Sequence, residues 1–279
     1  MRVDYREEPL KEQSTSYLLS GQASELPRLQ VQSRVWEPAA RELLAEFPSG
    51  NGKRALDVGC GVMGWLGALS AWVGTTGGVV GTDVDEKMLA GAKQYLEDSE
   101  LTNVELKQDD LFNSALPERS FDLVHARFQI APLGRASEQV AIYLKWVRPG
   151  GLLVLEDPDM SSWRINPAAP SAQRLIELIA VGFQQNGGDF NAGRSLVSLL
   201  CDAGLKPGIR ARIVALESGH PYLRLPIQFA TSLRSRLLEL VNAGELDGLI
   251  SDTKAELARP GTWGTTFTLI QAFATTRPE

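Results

Sequence analysis

Along this chain the apolar positions switch between two periods. From Ser24 to Phe47, Leu26, Leu29, Trp36, Ala40, Leu43 and Phe47 recur at helical spacing, with Pro38 marking a kink or a restart. After the turn SGNGK, Ala55 to Val58 reads as a short buried strand and Trp65 to Trp72 as the helix that follows it. GGVVGTDV predicts a second strand ending at Asp83, Glu86 to Glu97 a second helix, and VELKQDD a third strand. FDLVHARF predicts a fourth strand, Gln139 to Trp146 a helix stopped by RPGG, and GLLVLED a fifth strand. Five strands alternating with helices predict an α/β fold built on a parallel, doubly wound sheet.

Beyond Asp157 the pattern changes. PDMSSWRINPAAP is a Pro-rich loop, Ser171 to Gln185 and Arg194 to Ala203 read as amphipathic helices, and IRARIVALES as a sixth strand. Pro226 to Leu257 reads as helical again. In TTFTLIQAFATTR, Phe267, Leu269 and Phe273 alternate with Thr268, Ile270 and Ala272, the period of a strand. With no helix after it, this last strand can fold back antiparallel. The organisation expected is a helical cap or lid over residues 1–50 and an α/β domain over 51–279, with helical insertions at about 158–206 and 220–260.

Composition narrows the function classes. At 279 residues, 43% apolar and 22% charged, the chain is long enough for a substantial core and is not a disordered polymer. Its formal charge of −6 comes without any stripe of lysines and arginines, so the footprint of a nucleic-acid binder is missing and a small-molecule partner fits better. The opening MRVDYREEPL is charged where a signal peptide needs an apolar run, and no apolar run approaches bilayer length, so neither export nor a membrane is expected. Cys60 and Cys201 have no metal-ligand neighbours, which predicts two buried thiols in a reducing cytoplasm and no metal site. A monomer or a homodimer is the expected form.

The chemistry concentrates in ALDVGCGVMGW, where GCGVMG has the G-x-G-x-x-G spacing of a dinucleotide turn. Asp57, two residues before Gly59, argues against a pyrophosphate there: a carboxylate repels phosphates and attracts a cation such as an amino-acid ammonium. Asp83 lies at the end of the second strand, about where an acidic residue reaches ribose hydroxyls, while Asp85 suits a helix cap.

The D-x-G-x-G of Asp57, Gly59 and Gly61, followed by Asp83, resembles the class I S-adenosylmethionine-dependent methyltransferases. FDLVHARF and VRPGGLLVLEDPD resemble that family's fourth and fifth strands, and the lone last strand its antiparallel seventh. The resemblance implies a seven-stranded Rossmann-like methyltransferase fold, S-adenosyl-L-methionine as cofactor and S-adenosyl-L-homocysteine as product. It places Asp57, Gly59, Cys60, Gly61, Asp83, Val84, Asp110, Leu111 and Arg127 around the donor, with Asp110 at the adenine amino group and the backbone past the fourth strand at the amino-acid part. One departure is that Val62 and Met63 precede Gly64, one residue more than the usual third-glycine spacing, as in members with a G-x-x-G-W turn.

SELPRLQVQ and GGDFNAGRSLVSLLCDAGL are similar to stretches of the bacterial small-molecule methyltransferases related to ubiquinone and menaquinone biosynthesis. In that group the first helix closes over the donor, making Tyr17, Arg28 and Gln32 candidate lid contacts. The reaction implied is methyl transfer to an O, N or C nucleophile of a small molecule, in secondary or cofactor metabolism. No N/D-P-P-aromatic turn follows the fourth strand, where ARFQ stands, which argues against a flipped base as acceptor. A donor-bound cyclase or rearrangement catalyst and an NAD-dependent oxidoreductase remain the alternatives.

No catalytic cluster stands out. The available general bases are His220, His125, Tyr17 and Tyr222, although a histidine in a buried strand is more often structural. Glu156, Asp157 and Asp159 crowd the end of the fifth strand, where they orient substrate or solvate a loop. Trp163, Trp263 and Phe267 are candidates to wall an acceptor pocket, with core packing the plainer role.

Overall fold

The computed structural model describes residues 25–278. Its strands are β1 (Arg54–Val58), β2 (Gly78–Asp83), β3 (Val104–Gln108), β4 (Phe121–Arg127), β5 (Val147–Asp159), β6 (Arg164–Asn166), β7 (Gly208–Arg212), β8 (Ala215–Leu216), β9 (Trp263–Thr265) and β10 (Thr268–Thr275). Its helices are α1 (Glu25–Leu44), α2 (Leu66–Val73), α3 (Glu86–Asp98), α4 (Ile130–Leu133), α5 (Ala136–Trp146), α6 (Pro170–Gln185), α7 (Leu196–Asp202), α8 (Leu225–Ser232), α9 (Arg234–Leu237) and α10 (Ala243–Leu257).

Seven strands form one sheet in the order β3-β2-β1-β4-β5-β10-β7. The first five pair in parallel, and β10 inserts between β5 and β7, antiparallel to both. The alternation of the strands explains why helices cover both faces. Ala55, Val79, Leu123 and Val154 point to the face closed by α1, α2 and α3, where Leu43, Leu66, Leu69 and Leu96 pack. Their neighbours Leu56, Val80, Val124, Leu153 and Leu155 point to the opposite face, against Val140, Tyr143 and Trp146 of α5 and Leu196 and Leu200 of α7. Strand order reverses beside β1, between β2 and β4, which opens a crevice at the carboxyl ends of these strands.

Above that crevice sits a third apolar cluster, made by Leu175 and Phe183 of α6, Phe229 of α8, Leu237 of α9 and Leu246 of α10, with Trp36 of α1. A small antiparallel sheet, β6-β9-β8, flanks it. The seven-stranded, mostly parallel sheet is as expected, but several elements differ in detail. Helix α1 runs unbroken through Pro38. The stretch expected as one sixth strand splits: β7 joins the large sheet and β8 the small one, because Val214 and Thr266 exchange backbone and hydroxyl bonds at the break. The long helix expected over 226–257 is three helices, the last restarted by Asn242, whose Oδ1 accepts from Glu245 N at 2.9 Å. Cys60 is buried as expected, whereas Cys201 is exposed on α7, its place on the helix facing away from Leu196 and Leu200.

The helical cluster is held to itself by a cap between distant segments. Glu256 of α10 is buried and accepts from Ser171 N at 3.0 Å and Ala172 N at 3.1 Å, satisfying amides in the first turn of α6. Glu256→Ala leaves those amides without their carboxylate and is expected to cost about 1–3 kcal/mol. Urea unfolding checks this as a lower midpoint at unchanged slope; an unchanged midpoint would remove the cap from the account of stability.

Candidate functional site

The crevice holds a cavity of about 210 Å³. Its floor is the turn after β1. Gly59, Gly61 and Gly64 have φ of 60°, 55° and 43°, backbone that side chains rarely adopt. A Cβ at Gly64 would collide with Asp57 Oδ2 and stand 2.7 Å from the Cys60 carbonyl, which accounts for the shifted third glycine. A Cβ at Gly61 would meet nothing closer than Leu29 Cδ1 at 3.8 Å, so the turn is open to the cavity there.

Three carboxylates shape the floor by binding amides. Asp83 accepts from Gly61 N at 2.9 Å and from Asp85 N at 3.0 Å, tying the end of β2 to the turn; burial pushes its carboxyl above the ordinary range. Asp85 caps α3 by accepting from Lys87 N at 2.8 Å, the role expected of it. Asp110 accepts from Phe112 N at 3.0 Å, starting the 3-10 turn Leu111–Asn113, and both Asp109 and Asp110 border the cavity. Cys60 also borders it, with burial and then Asp57 and Asp83 pushing its thiol up.

Asp57 borders the cavity and is also held by the protein's own groups. It is buried, its Oδ2 accepts from Trp65 N at 2.7 Å, and its Oδ1 lies 2.7 Å from His125 Nδ1. His125 in turn reaches Glu156 Oε2 through Nε2 at 3.2 Å and stacks on the Trp65 ring at 3.8 Å. Trp65 Nε1 donates to the same Glu156 oxygen at 2.9 Å, and Gln271 Nε2 donates to Glu156 Oε1 at 2.5 Å and to Ala39 O of α1 at 3.3 Å. Burial alone pushes His125 toward the neutral form, but Asp57 and then Glu156 more than offset it, so its pKa ends above the ordinary value. Burial likewise favours protonated Glu156, and His125, Arg127 and Gln271 outweigh it, leaving that carboxyl below its ordinary range.

The expected bases therefore fall away from the cavity. His125 is sealed in this network, a structural role. His220 Nδ1 accepts from Tyr222 N at 3.1 Å and caps the turn Pro221–Arg224. Tyr222 is buried, its oxygen accepts from Trp36 Nε1 at 3.3 Å, and burial pushes its phenol well up, so it is a poor base. Neither His220 nor Tyr222 borders the cavity, and Tyr17 lies outside the described residues. Of the carboxylates at the end of β5, Asp157 accepts from Ala131 N at 2.9 Å and Ile130 N at 3.3 Å, with burial raising its pKa to about 7, and Asp159 pairs with Arg194 at 2.8 Å. Both hold structure rather than solvate a loop.

The walls come from elsewhere. Arg28 and Gln32 of α1 are bonded to each other at 3.1 Å and border the cavity, as do Val84, Leu111 and Arg127. Phe267 lines it; Trp163 is buried behind, and Trp263 is exposed outside. Sequence reasoning missed Phe128, Gln129, Phe183, Phe190 and Phe229, which also line the cavity. Only Phe128 carries a local oddity, a φ of 56°, and that is not readable from residue types.

An open sheet whose order reverses at a glycine turn, with carboxylates ending the two strands on one side, defines a Rossmann-like ligand-binding domain. Residues 55–151 match the family model described as a methyltransferase domain. Demethylmenaquinone methyltransferase of Geobacillus sp. (strain WCH70) is 34% identical over 103 residues, 37% of this chain and 44% of that protein. The chain thus spans about half the length of the curated relatives it matches. A SAM-dependent methyltransferase from Aquifex aeolicus aligns with TM-score 0.52 at 24% identity, over 70% of this chain and 93% of that one. Phosphoethanolamine N-methyltransferase 2 of Haemonchus contortus, solved with phosphomonomethylethanolamine and S-adenosylhomocysteine, aligns with TM-score 0.57 at 17% identity, over 96% of this chain and 61% of that one. The family match is confined to residues 55–151, the stretch from β1 to the start of β5.

His125→Gln removes the cation between two buried carboxylates and is expected to cost about 3–5 kcal/mol near neutral pH. The pH dependence has a definite sign. A raised histidine pKa contributes fully below the unfolded value of about 6.5, and the contribution disappears as pH rises through the folded value. Unfolding midpoints across that range should therefore fall with pH in the wild type and lose that component in His125→Gln; parallel curves would show His125 neutral throughout.

Proposed function

We propose that the protein transfers a methyl group from S-adenosyl-L-methionine to an O, N or C nucleophile of a small molecule, leaving S-adenosyl-L-homocysteine. The observation that carries this reading is the turn at Gly59–Gly64: open above Gly61, pinned by Asp83 through the Gly61 amide, and without room for a Cβ at Gly64. The residues present fit the donor. Asp83 has acceptor capacity for ribose hydroxyls beside Val84, Asp110 and the Leu111 amide suit the adenine edge, and Cys60 and the glycines admit the amino-acid tail. Arg28 and Gln32 on α1 and the backbone at Arg127 close the tail end.

The bound donor supplies a methyl group already activated on a sulfonium. What the chain adds is position: a rigid floor, walls that exclude water, and an acceptor held in line, which together account for a rate enhancement without acid or base groups. Residues 1–50 as a lid and the insertions at about 158–206 and 220–260 as the acceptor side complete the division of labour, and α1, α6 and α8 contribute cavity walls in keeping with it. Cofactor or secondary metabolism in the cytoplasm suits a chain with unpaired Cys60 and Cys201 and, among the described residues, no helix long and apolar enough to cross a membrane.

Calorimetric titration with S-adenosylmethionine and, separately, NAD tests the reading. The sulfonium donor alone should bind, and Asp83→Ala and Asp110→Ala should each weaken it by about 10- to 100-fold, the range of a hydrogen bond to a charged group. NAD binding, or an unchanged donor affinity in both variants, would overturn it.

A further inference from the structure

One member of the buried row behind the glycine turn faces the cavity, and its neighbour does not. Asp57 borders the cavity, whereas His125 has no exposed surface and is not part of the wall. The two meet at 2.7 Å through Asp57 Oδ1 and His125 Nδ1. Trp65 stacks on the imidazole at 3.8 Å and 14°, which fixes the ring plane so that Nδ1 meets Asp57 while Nε2 meets Glu156 at 3.2 Å. His125 therefore acts on a ligand only through Asp57.

The row is balanced as it stands. Asp57 and Glu156 are matched by the imidazolium of His125 and by the guanidinium of Arg127, which lies 3.8 Å from Glu156. A ligand cation drawn toward Asp57 from the cavity makes one positive charge too many, in surroundings that screen charge poorly. The guanidinium keeps its proton at any ordinary pH, so the imidazole is the cation that can yield. Around His125, β1 contributes Asp57, β5 Glu156 and β4 Arg127, while β10 brings the neutral Gln271, which also holds the Ala39 carbonyl of α1. Two further titratable groups adjoin these carboxylates. Burial, with Asp57 and Asp83, pushes the Cys60 thiol up and keeps it protonated. Asp157 follows Glu156 on β5 and points to the opposite face of the sheet, at the amides of Ile130 and Ala131.

We propose that His125 is a positioning residue for the cationic end of the cavity's ligand: it holds Asp57 at the turn and gives up its proton when that cation arrives. The inference rests on the reading of S-adenosyl-L-methionine as that ligand. The proton leaves to water, the ring nitrogen keeps its electron pair, and Asp57 is left with its charge directed at the ligand rather than shared with an imidazolium. The total charge of the row and its ligand stays level, so the sheet ends that the row aligns are not pushed apart by binding.

Long-range proton–nitrogen NMR spectra of the whole protein read the charge on this ring directly, since the chain has two histidines and His220→Gln removes the other signal. The probes are S-adenosylmethionine and 5′-methylthioadenosine, which shares the adenosine and the sulfur but carries neither sulfonium nor ammonium. Saturating S-adenosylmethionine should lower the midpoint at which His125 loses its proton by at least one pH unit, and 5′-methylthioadenosine should leave it where it stands in the free protein. By linkage, one unit is a tenfold weaker hold on the cationic ligand when His125 is charged than when it is neutral. At about pH 6.5, where the wild-type ring is charged, His125→Gln should accordingly raise the preference for S-adenosylmethionine over 5′-methylthioadenosine at least tenfold. Should that variant not fold, the wild-type spectra decide, because a merely structural histidine titrates alike with either ligand. The same midpoint with both ligands bound, or an unchanged preference in a folded His125→Gln, would overturn the positioning role and leave donor binding standing. Failure of both ligands to bind would overturn the donor reading and this inference with it.

Discussion

Everything at the cavity floor depends on keeping two carboxylates inside the protein. Asp57 and Glu156 are each essentially inaccessible to solvent, and a buried charge is tolerated only with a countercharge and hydrogen bonds to its remaining lone pairs. His125 lies between them, Arg127 beside Glu156, and Trp65 and Gln271 fill the other acceptor sites. With His125 protonated, two anions face two cations. Each partner belongs to a different part of the chain, so satisfying this row aligns β1, β4, β5, β10 and the glycine turn at once. The turn geometry follows from that alignment, since the Trp65 amide is fixed by Asp57 and the Gly64 carbonyl by Arg127.

Much of this architecture was legible along the chain, and the legible part has a common physical basis. The strands, their helices, the GCGVMG turn and the acidic residues at successive strand ends are set by period and by turn chemistry, which act over a few residues. What escaped notice acts over long separations. His125 and Asp57 are 68 residues apart, and Gln271 and Glu156 are 115 apart, so nothing local distinguishes His125 from a substrate-facing base. Asp57 was read for its charge toward a ligand, and the histidine and amide it holds inside the protein could not be read beside it. The phenylalanines of α6 and α8 escaped for a different reason: on an amphipathic helix, a residue packed in a core and one packed on a cavity share the same period.

The two sides of the cavity answer to different constraints. On the β2–β3 side, residues are placed by strand ends and amide bonds, and a substitution there disturbs the sheet itself. The opposite side is furnished by Phe183, Phe190 and Phe229, which belong to a helical cluster with its own internal cap at Glu256. Such a cluster can be repacked without disturbing the parallel sheet, so ligand preference on that side is free to diverge while the floor stays the same.

The placement of β10 also has a bearing on synthesis. Domains generally acquire structure from the amino end while the chain is still being made. Here β10 occupies an interior position between β5 and β7, and its Gln271 reaches Glu156 and the Ala39 carbonyl of the first described helix. A nascent chain that has emerged through β5 has a gap where β10 belongs and a buried glutamate lacking one of its donors. The floor is therefore complete only once residue 271 has emerged and β10 has joined the sheet.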